Sequence, residues 1–310
     1  MADGHQHLRP HNLLDLAITL FKTIYLLFTS WLSFIVPAVK KSVAGEIVLV
    51  TGAGSGIGRL MSINFAKQGS TLVLWDINKD GNEETAERIK QLGGKAHSYV
   101  VDVTKKEDVY RVAKQVTQEV GDITILVNNA GVVNGRRFLD CPDELIQRTI
   151  NVNTMAHFWT LRAFLPSMIA KNHGHIVSIS SIMGSVSGPR LTDYCASKYA
   201  TVGLHESLAL ELLAERVTGI HTTLVQPYQI NTGLFAGVYV NLFPPLDPQY
   251  VADKTLHAVL TNQKVIILPK LMYLLPFLKS WLPFECTVSL AQGMGFLDAM
   301  DSFIGHQKQV

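Results

Sequence analysis

Tyr194 and Lys198 stand four residues apart, so any helix that carries them presents both on one face. A free phenol is a poor base at neutral pH, because its ordinary pKa lies near ~10. An adjacent ammonium favours the phenolate, and a downward shift of ~3 units needs roughly 4 kcal/mol of differential stabilisation. The lysine together with the positive charge of an oxidised nicotinamide can supply that much. Such a pair can remove the proton of an alcohol while hydride leaves its carbon. An isolated Y-x-x-x-K is usually a surface pair, so its meaning depends on its company. That company is Thr51-Gly52-Ala53-Gly54-Ser55-Gly56-Ile57-Gly58, directly after the apolar run Ile47–Val50. Gly52, Gly56 and Gly58 allow a sharp turn and close approach of a pyrophosphate, whose charge then faces a helix N-terminus. Their spacing is G-x-x-x-G-x-G, not the G-x-G-x-x-G of many dinucleotide folds. The two motifs together specify hydride transfer between a nicotinamide cofactor and an alcohol or carbonyl.

A second apolar run ends at Asp76, about 20 residues beyond the glycines, where an acid can accept hydrogen bonds from an adenosine ribose. Its carboxylate would repel a 2′-phosphate, and neither Ser55 nor Ile77 supplies a positive charge. NAD is therefore favoured over NADP. Asn128 and Asn129 close a third apolar run, where polar side chains need partners.

Thr51–Gly58, Asp102-Val103, Asn128-Asn129-Ala130-Gly131, Ser181, Tyr194 and Lys198 resemble the motif set of the short-chain dehydrogenase/reductase family, over about residues 46 to 270. The resemblance implies NAD bound by Gly52, Ser55, Gly56, Ile57, Gly58 and Asp76, with Asp102 and Val103 at the adenine. Asn129, Ala130 and Gly131 would line the cofactor, Tyr194 and Lys198 would also touch it, and Thr232 would bind the nicotinamide amide. Ser181 would orient the substrate oxygen; Ser180 is the alternative, but family spacing selects Ser181. Asn153 matches the asparagine that supports a water-linked proton relay. Tyr228 replaces a common glycine after Pro227 and is expected to shape the substrate mouth. Many members dimerise through the helices around Asn153 and Tyr194, so a homodimer is expected.

Longer strings narrow the resemblance. Ser42–Val48, Leu74–Asn78, Cys141–Leu145 and Ala156–Thr160 are similar to the membrane-bound retinol dehydrogenase branch, epidermal-type enzymes in particular. That branch implies oxidation of all-trans-retinol to retinal on the cytosolic side of the endoplasmic reticulum. A neighbouring branch, the lipid-droplet 17β-hydroxysteroid dehydrogenases, shares several of these strings, and the motif chemistry does not separate retinol from a steroid. A non-catalytic membrane or lipid-droplet scaffold is the third reading, opposed by the filled catalytic positions.

These residues need a framework to position them. Strand-like runs at Ile47–Val50, Thr71–Trp75, Tyr99–Val101, Ile123–Val127, Ile176–Ile179, Ile220–Val225 and Val265–Leu268 alternate with helical stretches. The helices are predicted at 57–68, 82–92, 106–119, 153–170 and 193–214. This alternation implies an α/β fold: a single Rossmann-type doubly wound parallel sheet with helices on both faces. The 310 residues are 47% hydrophobic, enough for a sizeable core, and a net charge of +2 gives no argument for nucleic acid. Cys141, Cys195 and Cys286 read as reduced thiols, and Cys195 should point off the catalytic face. His5, His7 and His11 lack acidic partners nearby and read as a solvated head, not a metal site. His157 and His205 read as packed or surface residues.

From Leu13 to Val39 the chain is nearly all apolar, broken by Asp15 and Lys22. A helix over Leu13–Val36 would reach about 36 Å, enough to cross a membrane. Lys22 favours a shallower insertion. The expected organisation is an apolar N-terminal membrane helix in an anchor of residues 1–41, an NAD-binding domain at 42–268, and an apolar C-terminal segment at 269–310. Two apolar stretches, Gly233–Pro245 and Leu268–Leu282, suit a lipophilic alcohol and a membrane or lipid-droplet surface, with Lys270 and Lys279 facing its headgroups.

Overall fold

The computed structural model describes residues 13–32, 38–238, 240 and 244–305. The chain forms two units, Met1–Lys41 and Ser42–Val310. The described part of the first unit is one helix, α1 (Leu13–Leu32).

The second unit is built on a seven-stranded, wholly parallel sheet of order β3-β2-β1-β4-β5-β6-β7. Its strands are β1 (Ile47–Thr51), β2 (Thr71–Asp76), β3 (Lys95–Val100), β4 (Ile125–Asn128), β5 (Gly174–Ile179), β6 (Ile220–Pro227) and β7 (Val265–Leu268). Successive side chains of a strand point to opposite faces. Val48 and Val50 accordingly enter one core with Leu72, Leu74, Ile125 and Val127. Leu49, Val73, Trp75 and Leu126 enter the other. Both faces are therefore covered, as an all-parallel sheet requires. The first core is closed by α2 (Gly56–Lys67), α3 (Lys79–Gln91) and α8 (Pro248–Leu260). The second is closed by α4 (Lys106–Glu119), α6 (Ala156–Lys171) and α7 (Thr192–Ala214). Strand order reverses between β1 and β4, which opens a crevice at their carboxyl ends.

The sequence placed the sheet well and some helices badly. The helix expected at 153–170 begins earlier, as α5 (Asp143–Ile150), and runs through a π-helical segment (Asn151–Met155) into α6. β3 starts at Lys95, because this sheet-edge strand is only half buried and its first half lacks the apolar run used to find strands. Three further helices follow: α8, α9 (Leu274–Trp281) and α10 (Phe284–Gly293).

The expected membrane-crossing helix over Leu13–Val36 needs correction. α1 is described over Leu13–Leu32, Asp15 and Lys22 lie within it, and no helix among the described residues is long and apolar enough to cross a membrane. Residues 33–36 of that expected span lie outside the described residues, as do His5, His7 and His11.

Candidate active site

The cofactor cradle starts where β1 leaves the sheet. Gly52, at φ +67°, donates its amide to Trp75 O at 2.8 Å, and Ala53 donates to the same carbonyl at 3.2 Å. Ser55 is the N-cap of α2, and Gly56 takes a left-handed φ of +53°. A Cβ on Gly58 would sit 2.0 Å from Gly52 O, so α2 can approach the turn this closely only through glycine. The space at the N-terminus of α2 thus fits a pyrophosphate. Across it, Thr232 Cγ2 lies 3.7 Å from where a Gly56 Cβ would stand.

Asp76 ends β2 with both carboxylate oxygens engaged: Oδ2 accepts from Gly54 N and Oδ1 from Asn78 N, each at 2.8 Å. Each oxygen keeps a lone pair for a ribose hydroxyl. Sequence reasoning overlooked Arg59, whose guanidinium donates to the Gly81 carbonyl at 3.2 Å and to Glu84 at 2.8 Å, and also to the Gly54 carbonyl. Its charge is therefore committed to Glu84. Burial pushes the Asp102 carboxyl up, but the Thr104 hydroxyl and amide and Lys105 outweigh it and hold the group below its usual range. Asp102, Val103, Ala130 and Gly131 line the same cavity as the glycine turn and Asp76, as do Ile57 and Thr232.

Asn129 also borders the cavity, but its side chain is a staple. Its Nδ2 donates to Thr51 O at 2.9 Å and Gly52 O at 3.2 Å, pinning the turn from below. The Asn128 side-chain oxygen Oδ1 accepts from Thr160 Oγ1 at 2.8 Å.

Ser181, Tyr194, Lys198 and Asn153 converge above the ends of β4 and β5. Ser181 caps a short 3-10 turn (Ile182–Gly184); its Oγ accepts from Met183 N and donates to Pro227 O at 3.4 Å. Ser180 instead donates to Lys198 O, so its hydroxyl is spent on the backbone of α7. Tyr194 is 4% exposed, its ring edge-on to Phe235 at 5.6 Å. Lys198 Nζ lies 5.7 Å from the centre of that ring and donates to Ile179 O at 2.9 Å. Asn153 sits in the π-helical segment, its amide bonded to both backbone groups of Val132 and to Ser197 Oγ.

Burial dominates the electrostatics of this group. Burial drives the Tyr194 phenol well above its ordinary value, and the Ser181 hydroxyl pulls it back only in part. Burial lowers Lys198 to about 8, leaving it mostly charged at neutral pH. Lys198 alone does not make a phenolate here.

The cavity, of about 1190 Å³, continues from the cradle past Tyr194 into an apolar chamber. Its walls include Met183, Val186, Leu191 and Phe235 on one side, and Leu275, Leu278 and Phe296 from the C-terminal region on another. Tyr228 continues the β6–β7 ladder through its amide to Leu268 O at 2.7 Å, and its ring stands edge-on to Phe296. The strap 299–305 closes a flank. Ile304 and Gly305 donate their amides to Ala236 O, Arg190 pairs with Asp301 at 2.6 Å, and the Phe303 ring fills the space a Gly135 side chain would need. Neither strap nor π-helical segment carries a residue pattern that announces it.

Lys279, exposed on the apolar C-terminal stretch, also has protein partners. It borders the cavity and donates to Ser185 O at 3.0 Å and to the Tyr199 hydroxyl, because α9 folds back over the Ser181 turn. Tyr239, Leu242 and Phe243 of the expected apolar stretch lie outside the described residues. Cys195 is buried against Leu191 and Met300, and the cysteines are free. No cluster of metal-ligating side chains occurs among the described residues.

A family model described as short chain dehydrogenase matches residues 46–240. Human "Epidermal retinol dehydrogenase 2" is 48% identical over 299 residues, covering 95% of this chain and 97% of that protein. Human "Retinol dehydrogenase 10" is 44% identical over 322 residues, covering 94% of each. Among solved structures, a short chain dehydrogenase/reductase from Burkholderia phymatum in complex with NAD aligns with a TM-score of 0.71 at 25% identity, covering 78% of this chain and 95% of that one. A metagenomic short-chain oxidoreductase in complex with NADP aligns at 0.62 and 29% identity, covering 73% and 97%.

Proposed function

The chain belongs to the short-chain dehydrogenase family, and on that premise we propose that it oxidises a lipophilic alcohol with NAD, all-trans-retinol to all-trans-retinal before others. The observation that carries this reading is the group Ser181, Tyr194 and Lys198 at the inner end of an apolar chamber that continues from the nucleotide cradle. The name of the 48% identical human relative supports retinol as the substrate. Asp76, at the ribose end with Arg59 already paired to Glu84, supports NAD over NADP. When bound, NAD supplies the hydride acceptor and a positive ring. Gly52, Ser55, Gly56, Ile57 and Gly58 would hold its phosphates; Asp102, Val103, Asn129, Ala130, Gly131 and Thr232 would border the rest.

Ser181 Oγ orients the substrate hydroxyl. Tyr194 Oη takes the hydroxyl proton, and the Lys198 ammonium stabilises the negative charge left on the phenol. Asn153 holds the Val132 loop and α7 together behind them. The mostly apolar walls of the chamber lower the local polarity, which strengthens each of these interactions.

The proposed setting is a membrane surface facing the cytosol, endoplasmic reticulum or lipid droplet. The apolar α1 supports it, as do the exposed Leu274, Phe277, Trp281 and Phe284 of α9 and α10. In this reading the anchor is residues 1–41, the catalytic domain 42–268, and residues 269–310 the membrane-contacting segment. Exposed Leu210 and Leu213 on α7 suit the expected homodimer.

The test is NADH formation by membrane fractions given NAD with all-trans-retinol or with estradiol, beside Tyr194→Phe. Retinol turnover that Tyr194→Phe abolishes supports the reading. Turnover of estradiol alone transfers the mechanism to a steroid, and turnover of neither overturns the retinol reading and leaves a different lipid alcohol or a scaffold, which NAD binding then separates.

A further inference from the structure

Beneath Lys198, on the side away from the cavity, lies a polar cluster that the proposed reaction does not use. Asn128 at the end of β4 stands beside Ser178 in the β4–β5 ladder. Ser178 Oγ meets His205 Nδ1 at 2.9 Å, from α7. On the other flank, Thr160 Oγ1 of α6 reaches Asn128 Oδ1 at 2.8 Å and the backbone oxygen of His157 at 3.1 Å. His157 and His205 lie within electrostatic reach of each other, and His157 of Lys198. These contacts gather groups of β4, β5, α6 and α7 into one cluster between the sheet and two helices.

Asn128, His157 and His205 are 2%, 2% and 5% exposed, yet four of their nitrogens have no protein partner: Asn128 Nδ2, both ring nitrogens of His157, and His205 Nε2. Buried polar atoms are normally satisfied, and orphans carry the desolvation penalty in full. A neutral imidazole offers one donor and one acceptor, and an amide nitrogen offers donors only. The cluster therefore presents both kinds of group to a small molecule that needs two to four polar partners, and water meets that description. Burial keeps both imidazoles neutral, lowering His157 to about 3 and His205 to about 4, so no ion is called for.

We propose that Asn128, His157 and His205 enclose an internal water site that ties α6 and α7 to the ends of β4 and β5. Ile179, whose carbonyl receives the Lys198 ammonium, is the next residue after Ser178. The site thus fixes the support on which Lys198 rests, and its histidines are positioning residues.

The test is water-deuterium magnetic relaxation dispersion on the full chain, which counts long-lived internal waters, for wild type, His157→Phe, His205→Phe and His157→Gln. Each phenylalanine variant should lose at least one long-lived water, and the glutamine variant should keep it. Equal counts in wild type and both phenylalanine variants overturn the site. Kinetics of the same proteins, which rest on the proposed dehydrogenase reaction, should show kcat several-fold lower in His157→Phe with KM for NAD unchanged, and His157→Gln restoring most of the loss. Water lost with kcat untouched overturns the link to Lys198. The relaxation result stands or falls whether or not retinol is the substrate.

Discussion

Substituting Gly58 by alanine tests whether the contact between α2 and the glycine turn is what makes the nucleotide site. The added Cβ would lie 2.0 Å from Gly52 O and 2.6 Å from Asn129 Nδ2, more than an ångström short of ordinary contact in the first case. Neither neighbour can yield cheaply. Gly52 is held through its amide to Trp75 O, and Asn129 Nδ2 holds both Thr51 O and Gly52 O. The N-terminus of α2 must therefore back away from β1 by about an ångström. Overpacking of this kind costs about 1–3 kcal/mol of stability. A misplacement of that size at a site of pre-arranged donors weakens function by roughly 100-fold. The assay is the thermal stabilisation produced by NAD, which at a concentration of 100 Kd amounts to about 2.7 kcal/mol for an intact site. Gly58→Ala should retain a cooperative transition but lose most of the NAD-induced shift. The control is Gly203→Ala in α7, where a Cβ meets nothing within 4 Å; it should leave NAD binding alone and add up to about 1 kcal/mol of stability. A Gly58→Ala protein with the wild-type NAD shift would refute the reasoning.

Further outcomes follow from the same geometry. Lys198→Met should abolish turnover yet stabilise the cofactor-free protein at pH 7 by about 2 kcal/mol, since the buried ammonium is lowered from 10.5 to about 8 and only one hydrogen bond is lost with it. Between about pH 8 and 10 the unfolded state binds more protons at this lysine, so wild-type stability rises and the gap in chemical denaturation should shrink; a constant gap contradicts the burial argument. Phe303→Ala should raise KM for the lipophilic alcohol several-fold and leave the NAD dissociation constant unchanged, because the ring belongs to the strap and not to the cradle. Asp76→Ala should weaken NAD about tenfold, through roughly 1.4 kcal/mol of lost hydrogen bonding, and narrow the preference over NADP. An unaltered NAD:NADP ratio would show that discrimination lies elsewhere.

The parts of this molecule legible in its sequence are those governed by local rules. β1, β2 and β4 are buried on both faces, so their apolar runs are unbroken, and the glycine turn and Asp76 follow from where those runs stop. Tyr194 and Lys198 read directly because helical spacing is regular. The π-helical segment at Asn151–Met155 is invisible to a 3.6-residue period, and Asn153 was found by family resemblance alone. Arg59 hides as an ordinary helix charge until Glu84 and Gly54 are folded onto it. Lys279 reads as a headgroup contact in an apolar stretch, and the return of α9 over the Ser181 turn gives it protein partners as well. These outcomes depend on contacts between distant segments, which no window along the chain contains.

The strap at 299–305 also bears on the order of events during synthesis. Every strand, the glycine turn and the helix carrying Tyr194 and Lys198 emerge from a ribosome before it, whereas the flank of the chamber formed by Ala299 and Met300, with Phe303 packed behind them, comes last. A nascent chain can thus acquire its nucleotide site while its substrate site still lacks a wall. A stop codon at position 299 would yield a protein that binds dinucleotide but leaks its lipophilic alcohol.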